Sequence, residues 1–150
     1  WVAEWPVDGA DPLNGMARVT VSIEDEERKF NVHSVPSDVD SPQFVALKAL
    51  LASKDAADAA AALVDWLDVD AVSLDDAPPA TEEDEPAGWR AKNAPAARLE
   101  ELFAIPGLRD VDPGEMRRLL SVSYASTAKP NLNTALPEVL SALGLPPSWE

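Results

Sequence analysis

Alternation of apolar and polar residues near the start of the chain predicts a strand. In residues 16–24, MARVTVSIE, the apolar positions take every second place: Ala17, Val19, Val21 and Ile23. A period of two with β-branched residues is typical of a strand that has one buried face. The charged stretch 24–28 predicts a turn, and residues 29–32 then return as a second strand. Residues 1–15 contain prolines and glycines, and we expect them to be an irregular lead-in.

From Pro42 onward the apolar spacing becomes that of helices. One helical face is formed by Phe44, Leu47, Leu50 and Leu51. Residues 55–67 are rich in alanine, the best helix former, and predict a second helix. A third helix is predicted around Leu99, Leu102 and Phe103, and Gly107 follows it where a left-handed cap is needed.

The C-terminal third of the chain carries signals for the start and end of two more helices. Asp112, Pro113 and Glu115 form a capping-box pattern that predicts a helix over 112–120. The last helix is predicted within NLNTALPEVLSALG, residues 131–144, with Asn133 or Thr134 as its cap and Gly144 at its end. A hairpin followed by about five short helices predicts an α+β fold that is mostly helical.

The charge of the chain is strongly acidic and unevenly distributed. Twelve Lys and Arg against 27 Asp and Glu give a net charge of −15, which repels nucleic acid and anionic membrane surfaces and suits divalent cations or a basic partner. Residues 55–89 contain eleven acidic residues and no Lys or Arg. Within them, the proline-rich segment 71–88 is predicted to be an acidic loop.

The residues that several kinds of enzyme and metal site require are absent from the sequence. The absence of cysteine excludes disulfides and thiolate sites, and no serine-hydrolase, zinc-protease or phosphate-loop motif is found. The longest apolar run, residues 59–64, is too short to cross a bilayer. These features predict a protein that is not an enzyme, and a chain that is a soluble piece without a membrane segment.

Four phrases in a fixed order resemble the minor pseudopilin K family of type II secretion systems. They are SIEDEERKFNVHSV, LVDWLDVD, WRAKNAPAARLEELFAIPGL and PNLNTALPEVLSALG, and together they extend over roughly residues 16–145. The chain departs from the family pattern at His33, where a second asparagine is usual, and at Leu136, where proline is usual.

The resemblance implies a fold, a location and partners. Such proteins are subunits of the pseudopilus tip in the periplasm, where they bind the other minor pseudopilins, of types I and J, and the full-length protein has an N-terminal helix in the inner membrane. Their fold is a pilin-like sheet with two inserted SAM-like helical subdomains. Applied to this chain, the resemblance places the pilin-like hairpin at 1–30, the first helical subdomain at 31–110 and a partial second one at 111–150.

The acidic loop and the residues before it form a candidate Ca²⁺ site. Calcium takes six to eight oxygen ligands, and some members of the resembled family bind it in this loop. An EF-hand is excluded because its fifth and sixth positions are Val72 and Ser73. The alternative is a solvated acidic loop without a metal. The candidate ligands are Asp65, Asp68, Asp70, Asp75, Asp76, Glu82 and Glu83.

Two further readings stay open at the level of sequence. The chain could be a calcium-dependent scaffold, or, since EELFAIPGL also resembles helix-hairpin-helix proteins, a nucleic-acid binding module. A nucleic-acid binding module requires cationic residues beside the hairpin. The candidates in this sequence are Arg98, Arg109, Arg117 and Arg118. His33, Asn131 and Asn133 are interpreted as residues that hydrogen-bond the backbone rather than as ligand-binding groups.

Overall fold

The computed structural model describes residues 2–6, 18–70, 72–74, 91–124 and 129–147. Its elements form a mixture of short helices and two small sheets, in agreement with the α+β prediction. In chain order they are β1 (Val2–Pro6), β2 (Arg18–Ser22), β3 (Phe30–Asn31), α1 (Pro42–Ala52), α2 (Ala59–Leu67), α3 (Pro113–Leu119), β4 (Leu120–Ser121) and α4 (Pro137–Ala142). Short 3₁₀ helices lie at Glu26–Arg28, Val32–Ser34 and Leu99–Ala104.

The strand pairing differs from the prediction. The strand predicted at 16–24 exists as β2, but it pairs antiparallel with β1, from Trp5↔Val19 to Val2↔Ser22, so the lead-in is not irregular throughout. The strand predicted at 29–32 is β3, and it pairs in parallel with β4 instead of returning on β2. Local geometry explains the change. Asp25 accepts a hydrogen bond from the Glu27 amide at 3.0 Å and starts a 3₁₀ turn, which leads the chain away from β2.

Helix α3 begins at its predicted cap, and α1 begins at Pro42, where the helical spacing was predicted to start. The Ser41 hydroxyl accepts from the Phe44 amide at 3.1 Å, with Pro42 in the first turn of α1. Asp112 accepts from the Glu115 amide at 3.0 Å at the start of α3. The Glu115 carboxylate binds Lys54 and Arg118, so this cap uses one of the two bonds of a capping box.

The helix predicted around Leu99 is a 3₁₀ helix of six residues. Glu101 accepts from the amides of Ala97 and Arg98 at 3.0 and 3.2 Å and fixes its start. Its end is fixed because Pro106 disfavours a helical conformation at Ile105, which is extended with ψ 129°. Gly107 then has φ +82°, which confirms the predicted left-handed position.

Within the described residues, a hydrophobic core joins the helices to the β3–β4 pair. It includes Phe30 and Leu120 from these two strands, Leu47 from α1, Leu63 from α2 and Val139 from α4. Both of the predicted helical subdomains contribute to it, while their boundaries stay a prediction. Within the described residues, no helix has the length and apolarity that a membrane span requires.

Candidate functional site

The first asparagine phrase is a buried turn. Asn31 is almost fully buried, and its side-chain oxygen accepts from the His33 amide at 3.3 Å. The Ser34 hydroxyl donates to the Asn31 carbonyl at 2.6 Å. Short amide side chains favour such turns because they satisfy backbone groups two residues on. Asn31 therefore shapes the exit of β3.

His33 connects three segments of the chain. Its Nε2 accepts from the amide of Ala96 at 3.1 Å, and its Nδ1 lies 3.0 Å from the carbonyl oxygen of Ser123. A backbone N–H can only donate, so Nε2 carries the lone pair and the ring hydrogen is on Nδ1, which donates to Ser123. The interpretation of His33 as a hydrogen-bonding residue agrees with these contacts.

The second asparagine phrase binds the acidic turn that precedes β3. The backbone N–H of Asn131 donates to the Glu27 carbonyl at 2.7 Å, and the side-chain nitrogen of Asn131 donates to the Asp25 carboxylate at 3.1 Å. The Thr134 hydroxyl donates to the same Asp25 oxygen at 2.6 Å. These three bonds hold together residues that are more than a hundred positions apart in the chain.

The predicted cap of the last helix is wrong. Helix α4 begins at Pro137 after Leu136, with no side-chain cap, because Thr134 is engaged by Asp25 and Asn133 donates its amide to Asn131 at 3.1 Å. Its predicted end is confirmed. Gly144 has φ +73°, and the Leu145 amide donates to the Leu140 carbonyl at 2.9 Å, as in a Schellman motif.

Asp25 is the residue that sequence reasoning missed in this cluster. Hydrogen bonds from Thr134, then from the Glu27 amide and from Asn131, lower the pKa of Asp25, because they favour the charged carboxylate. The acidic turn at 24–28 was visible in the sequence, but nothing local indicated which carboxylate would face residues 131–134.

Of the seven candidate calcium ligands, three lie in the described part and each already has a structural contact. Asp65 is fully buried and accepts from the Leu74 amide at 3.1 Å. Asp68 accepts from the Ser37 hydroxyl at 2.8 Å, and Asp70 accepts from the Val72 amide at 2.9 Å. Within the described residues, no three Asp, Glu or His side chains are grouped as a metal would require. The other four candidates, Asp75, Asp76, Glu82 and Glu83, lie outside the described residues, so the calcium site stays a prediction.

Three of the four arginines that a nucleic-acid module would need are engaged with other groups. Arg118 pairs with Glu138 at 2.6 Å and with Glu115 at 2.9 Å, and Arg117 pairs with Glu100 at 3.2 Å. Arg109 donates to the Ala104 carbonyl at 3.4 Å. Because carboxylates neutralise Arg117 and Arg118, the charge pattern argues against a phosphate-binding patch here.

A small cavity of about 180 Å³ lies beside His33. Val32, Val64 and Leu67 supply apolar walls, while Asp68 and Tyr124 contribute polar groups. The rings of Tyr124 and His33 are tilted by 41° with their centroids 5.6 Å apart. Around this cavity, His33 and Asp68 are held by the structural hydrogen bonds described above.

Comparison with known proteins finds a similar structure but no similar sequence. No protein-family model and no curated protein matches the sequence. The structure is similar to a chain in the crystal structure of the GspK–GspI–GspJ complex of the enterotoxigenic Escherichia coli type 2 secretion system. The TM-score is 0.64 at 20% sequence identity, over 83% of this chain and 49% of that one. This chain thus spans about half the length of the solved chain, and it shares the fold of a component of that complex.

Proposed function

We propose that this chain is a non-enzymatic assembly subunit at the pseudopilus tip of a type II secretion system. Its partners would be the minor pseudopilins of types I and J, and its compartment the periplasm. An N-terminal helix of the full-length protein would anchor it in the inner membrane. The observation that carries the proposal is the likeness of fold over 83% of the chain to a component of a type 2 secretion complex.

The sequence phrases also support the proposal. The four phrases that resemble the minor pseudopilin K family follow one another in the order usual for that family. Two of these phrases, around Asn31 and Asn131, form turns that join distant segments. These two phrases therefore hold the fold together, which is consistent with a structural subunit.

The contacts of the polar residues support a role without catalysis. A general base or nucleophile must be able to reach a substrate proton or a substrate atom. The only histidine, His33, uses both ring nitrogens to hold Ala96 and Ser123. Asp68, which lines the cavity beside it, accepts from Ser37. Partner binding requires no such chemistry, and the acidic surface suits it.

Reconstitution tests the proposal directly. The chain is mixed with the periplasmic domains of the type I and type J minor pseudopilins from the same genome. Size-exclusion chromatography with light scattering then measures the mass of the complex. We expect a stable complex with one copy of each subunit, and no such complex when a major pseudopilin domain replaces the two partners. Absence of any complex at tens of micromolar would contradict the proposal.

A further inference from the structure

Helix α1 has an apolar stripe on its outer side as well as an apolar inner face, and its polar residues are Gln43 and Lys48. Its inner face buries Phe44, Leu47, Leu50 and Leu51 in the core. On the outer side Val45 is 56% exposed, and Ala49 and Ala52 are also exposed. The spacing of four and then three residues places these three on one stripe of the helix. An exposed apolar stripe of this kind is a candidate contact surface.

This stripe lies along an open groove in the surface. The groove measures about 670 Å³, and all its lining residues belong to the described part of the chain. Its apolar walls come from Val39, Phe44, Val45, Ala49, Ala52 and Ala57. Alanines along a helix let a second helix approach closely, because the distance between packed helices depends on the side chains at the contact. The 11 residues of α1 extend for roughly 16 Å, enough for about three turns of a partner helix.

The charges around the groove indicate the nature of its occupant. Residues 38–58 contain four aspartates and two lysines, and one of the lysines, Lys54, is paired with Glu115 at 2.7 Å. Asp40 and Lys48 line the groove, and the exposed Asp58 directly follows the lining residue Ala57. With Lys54 paired, the four aspartates outnumber the one remaining lysine, so the surroundings of the groove are net negative. A second copy of this chain would bring its own charge of −15 and be repelled. A basic partner would be attracted.

We infer that the α1 groove binds an amphipathic helix of a partner protein, whose apolar stripe is flanked by lysine or arginine residues. The apolar stripe packs on Val45, Ala49 and Ala52, as in other helix-in-groove complexes. The basic flanks lie near Asp40 and Asp58. The inference is independent of the proposed pseudopilin assembly, because it rests on the surface of α1 alone and its test contains no pseudopilin.

A designed peptide serves as the probe. It is a fluorescein-labelled amphipathic helix of about 18 residues with one leucine stripe and lysine flanks, and its binding to the full chain is measured by fluorescence anisotropy. The control peptides are a scrambled sequence of the same composition and a version with glutamate flanks. We expect the lysine-flanked helix to bind at least about tenfold more tightly than either control, since only it matches both the apolar stripe and the charge.

Two substitutions on α1 separate groove binding from simple charge attraction. Val45→Asp places a charge in the groove, whereas Gln43→Asp makes the same change of charge at an exposed position of α1 that does not line it. Both add a negative charge, which by itself strengthens the attraction to a basic peptide. We expect Val45→Asp to weaken binding at least about tenfold and Gln43→Asp to change it less than about twofold.

Three results would overturn the inference. One is equal binding of the scrambled peptide, and another is an equal effect of the two substitutions. The third is a dimer of the chain, detected by sedimentation, that Val45→Asp dissociates, because a second copy would then be the occupant. Val45 is exposed, so the variant is expected to fold, and its circular dichroism and thermal melting confirm this before the titration. If Val45→Asp does not fold, Ala49→Asp replaces it in the same comparison.

Discussion

His33 is a single side chain that joins three segments distant in sequence. It bonds to Ala96 and Ser123 from the turn that Asn31 begins. Ala96 is completely buried, and the imidazole is the hydrogen-bond partner of its amide. The imidazole has a nitrogen on each side and therefore reaches both segments at once.

We expect His33→Phe to lower the free energy of unfolding by roughly 1 to 3 kcal/mol, the penalty for leaving a buried amide without a partner. Phenylalanine keeps an aromatic ring but has no nitrogen to accept from Ala96 or to donate to Ser123. Urea denaturation followed by tryptophan fluorescence measures the change. Tyr124→Ala is the control, because Tyr124 is 68% exposed and contributes only a ring contact. A loss in Tyr124→Ala as large as in His33→Phe would mean that the ring contact, and not the two hydrogen bonds, matters.

The types of turn around the two asparagines could be predicted from the sequence, but their partners could not. Asn31 and Asn131 each accept from the backbone two residues on, as short amide side chains usually do. The contact of Asn131 with Asp25 depends on how the whole chain folds, since 106 positions separate the two residues. Local propensity carries no information about such a pair. The same limit applies to Thr134, which looked like a helix cap and binds Asp25 instead.

At the scale of elements, a network of ion pairs connects α1, α3 and α4. Glu115 binds Lys54, just after α1, at 2.7 Å, and it binds Arg118 on the next turn of α3 at 2.9 Å. Arg118 also binds Glu138 of α4 at 2.6 Å. Hydrogen bonds from Arg118 and Lys54 lower the pKa of Glu115 to about 2. The network is partly exposed, so salt screens it.

The lowered pKa of Glu115 predicts a loss of stability in acid. A carboxylate with a depressed pKa in the folded state contributes stability above its unfolded pKa of 4.5, and this contribution is lost as the pH falls towards about 2. Glu115→Gln should therefore have a lower Tm than the wild type at pH 7, and the difference should shrink between pH 4.5 and 2. Melting curves over this range measure it. Glu100→Gln, which removes a more exposed pair, should have a smaller effect at pH 7.

The turn after the 3₁₀ helix at Leu99–Ala104 packs tightly against the start of α2. A Cβ atom on Gly107 would lie 3.1 Å from the Cβ of Ala59, and the backbone there has φ +82°. Gly144 has a similar φ of +73° but no atom within 4 Å of such a Cβ. The two glycines therefore separate the cost of a left-handed backbone from the cost of a clash.

We expect Gly144→Ala to destabilise the protein by about 1 kcal/mol, the penalty for a left-handed alanine. Gly107→Ala should cost about 1 to 3 kcal/mol more, because α2 or the turn must also shift to make room. Denaturation midpoints of the two variants give the comparison. Equal losses would show that the turn can move away from Ala59 without cost.

Comparison of the predicted and observed helices and strands shows which of them the sequence could predict. Helix α3 carries its own start signal, Asp112, and α1 begins at Pro42, where the apolar spacing changes, so both were located correctly. The 3₁₀ helix at 99–104 differs from the predicted helix because its ends are fixed by Glu101 and Pro106, and the number of residues between them is too small for several α-helical turns. Strands β3 and β4 have two residues each, and they pair as Phe30↔Leu120 and Asn31↔Ser121, a contact between distant segments that no local pattern predicts.

At the scale of the whole molecule, the net charge of −15 suits basic partners and divalent cations rather than nucleic acid. The acidic residues have two roles in the described part. Some, such as Asp25 and Asp65, hold the backbone or other side chains, whereas Asp40 and Asp58 are exposed.

The calcium site predicted from the sequence can be tested by the effect of Ca²⁺ on the stability of the whole chain. If the acidic loop binds Ca²⁺ in the folded state, a calcium concentration about ten times Kd should stabilise the protein by about 1.4 kcal/mol, or roughly 3 °C in Tm. Isothermal titration and thermal melting measure the two effects. Magnesium should be a weaker ligand, because it requires a smaller octahedral site and loses its water reluctantly.

Charge-neutral variants distinguish a site from general attraction of cations. Replacing Asp75, Asp76, Glu82 and Glu83 by their amides should abolish both the heat of binding and the Tm shift. The control replaces four exposed acidic residues elsewhere, Glu24, Glu27, Asp40 and Asp58, by their amides and changes the net charge equally. We expect this control to bind calcium like the wild type, because a site depends on several oxygen ligands at one place and not on the total charge. If both variants lose binding to the same extent, or if the wild type shows no response to millimolar Ca²⁺, the acidic loop is a solvated segment and calcium has no site there.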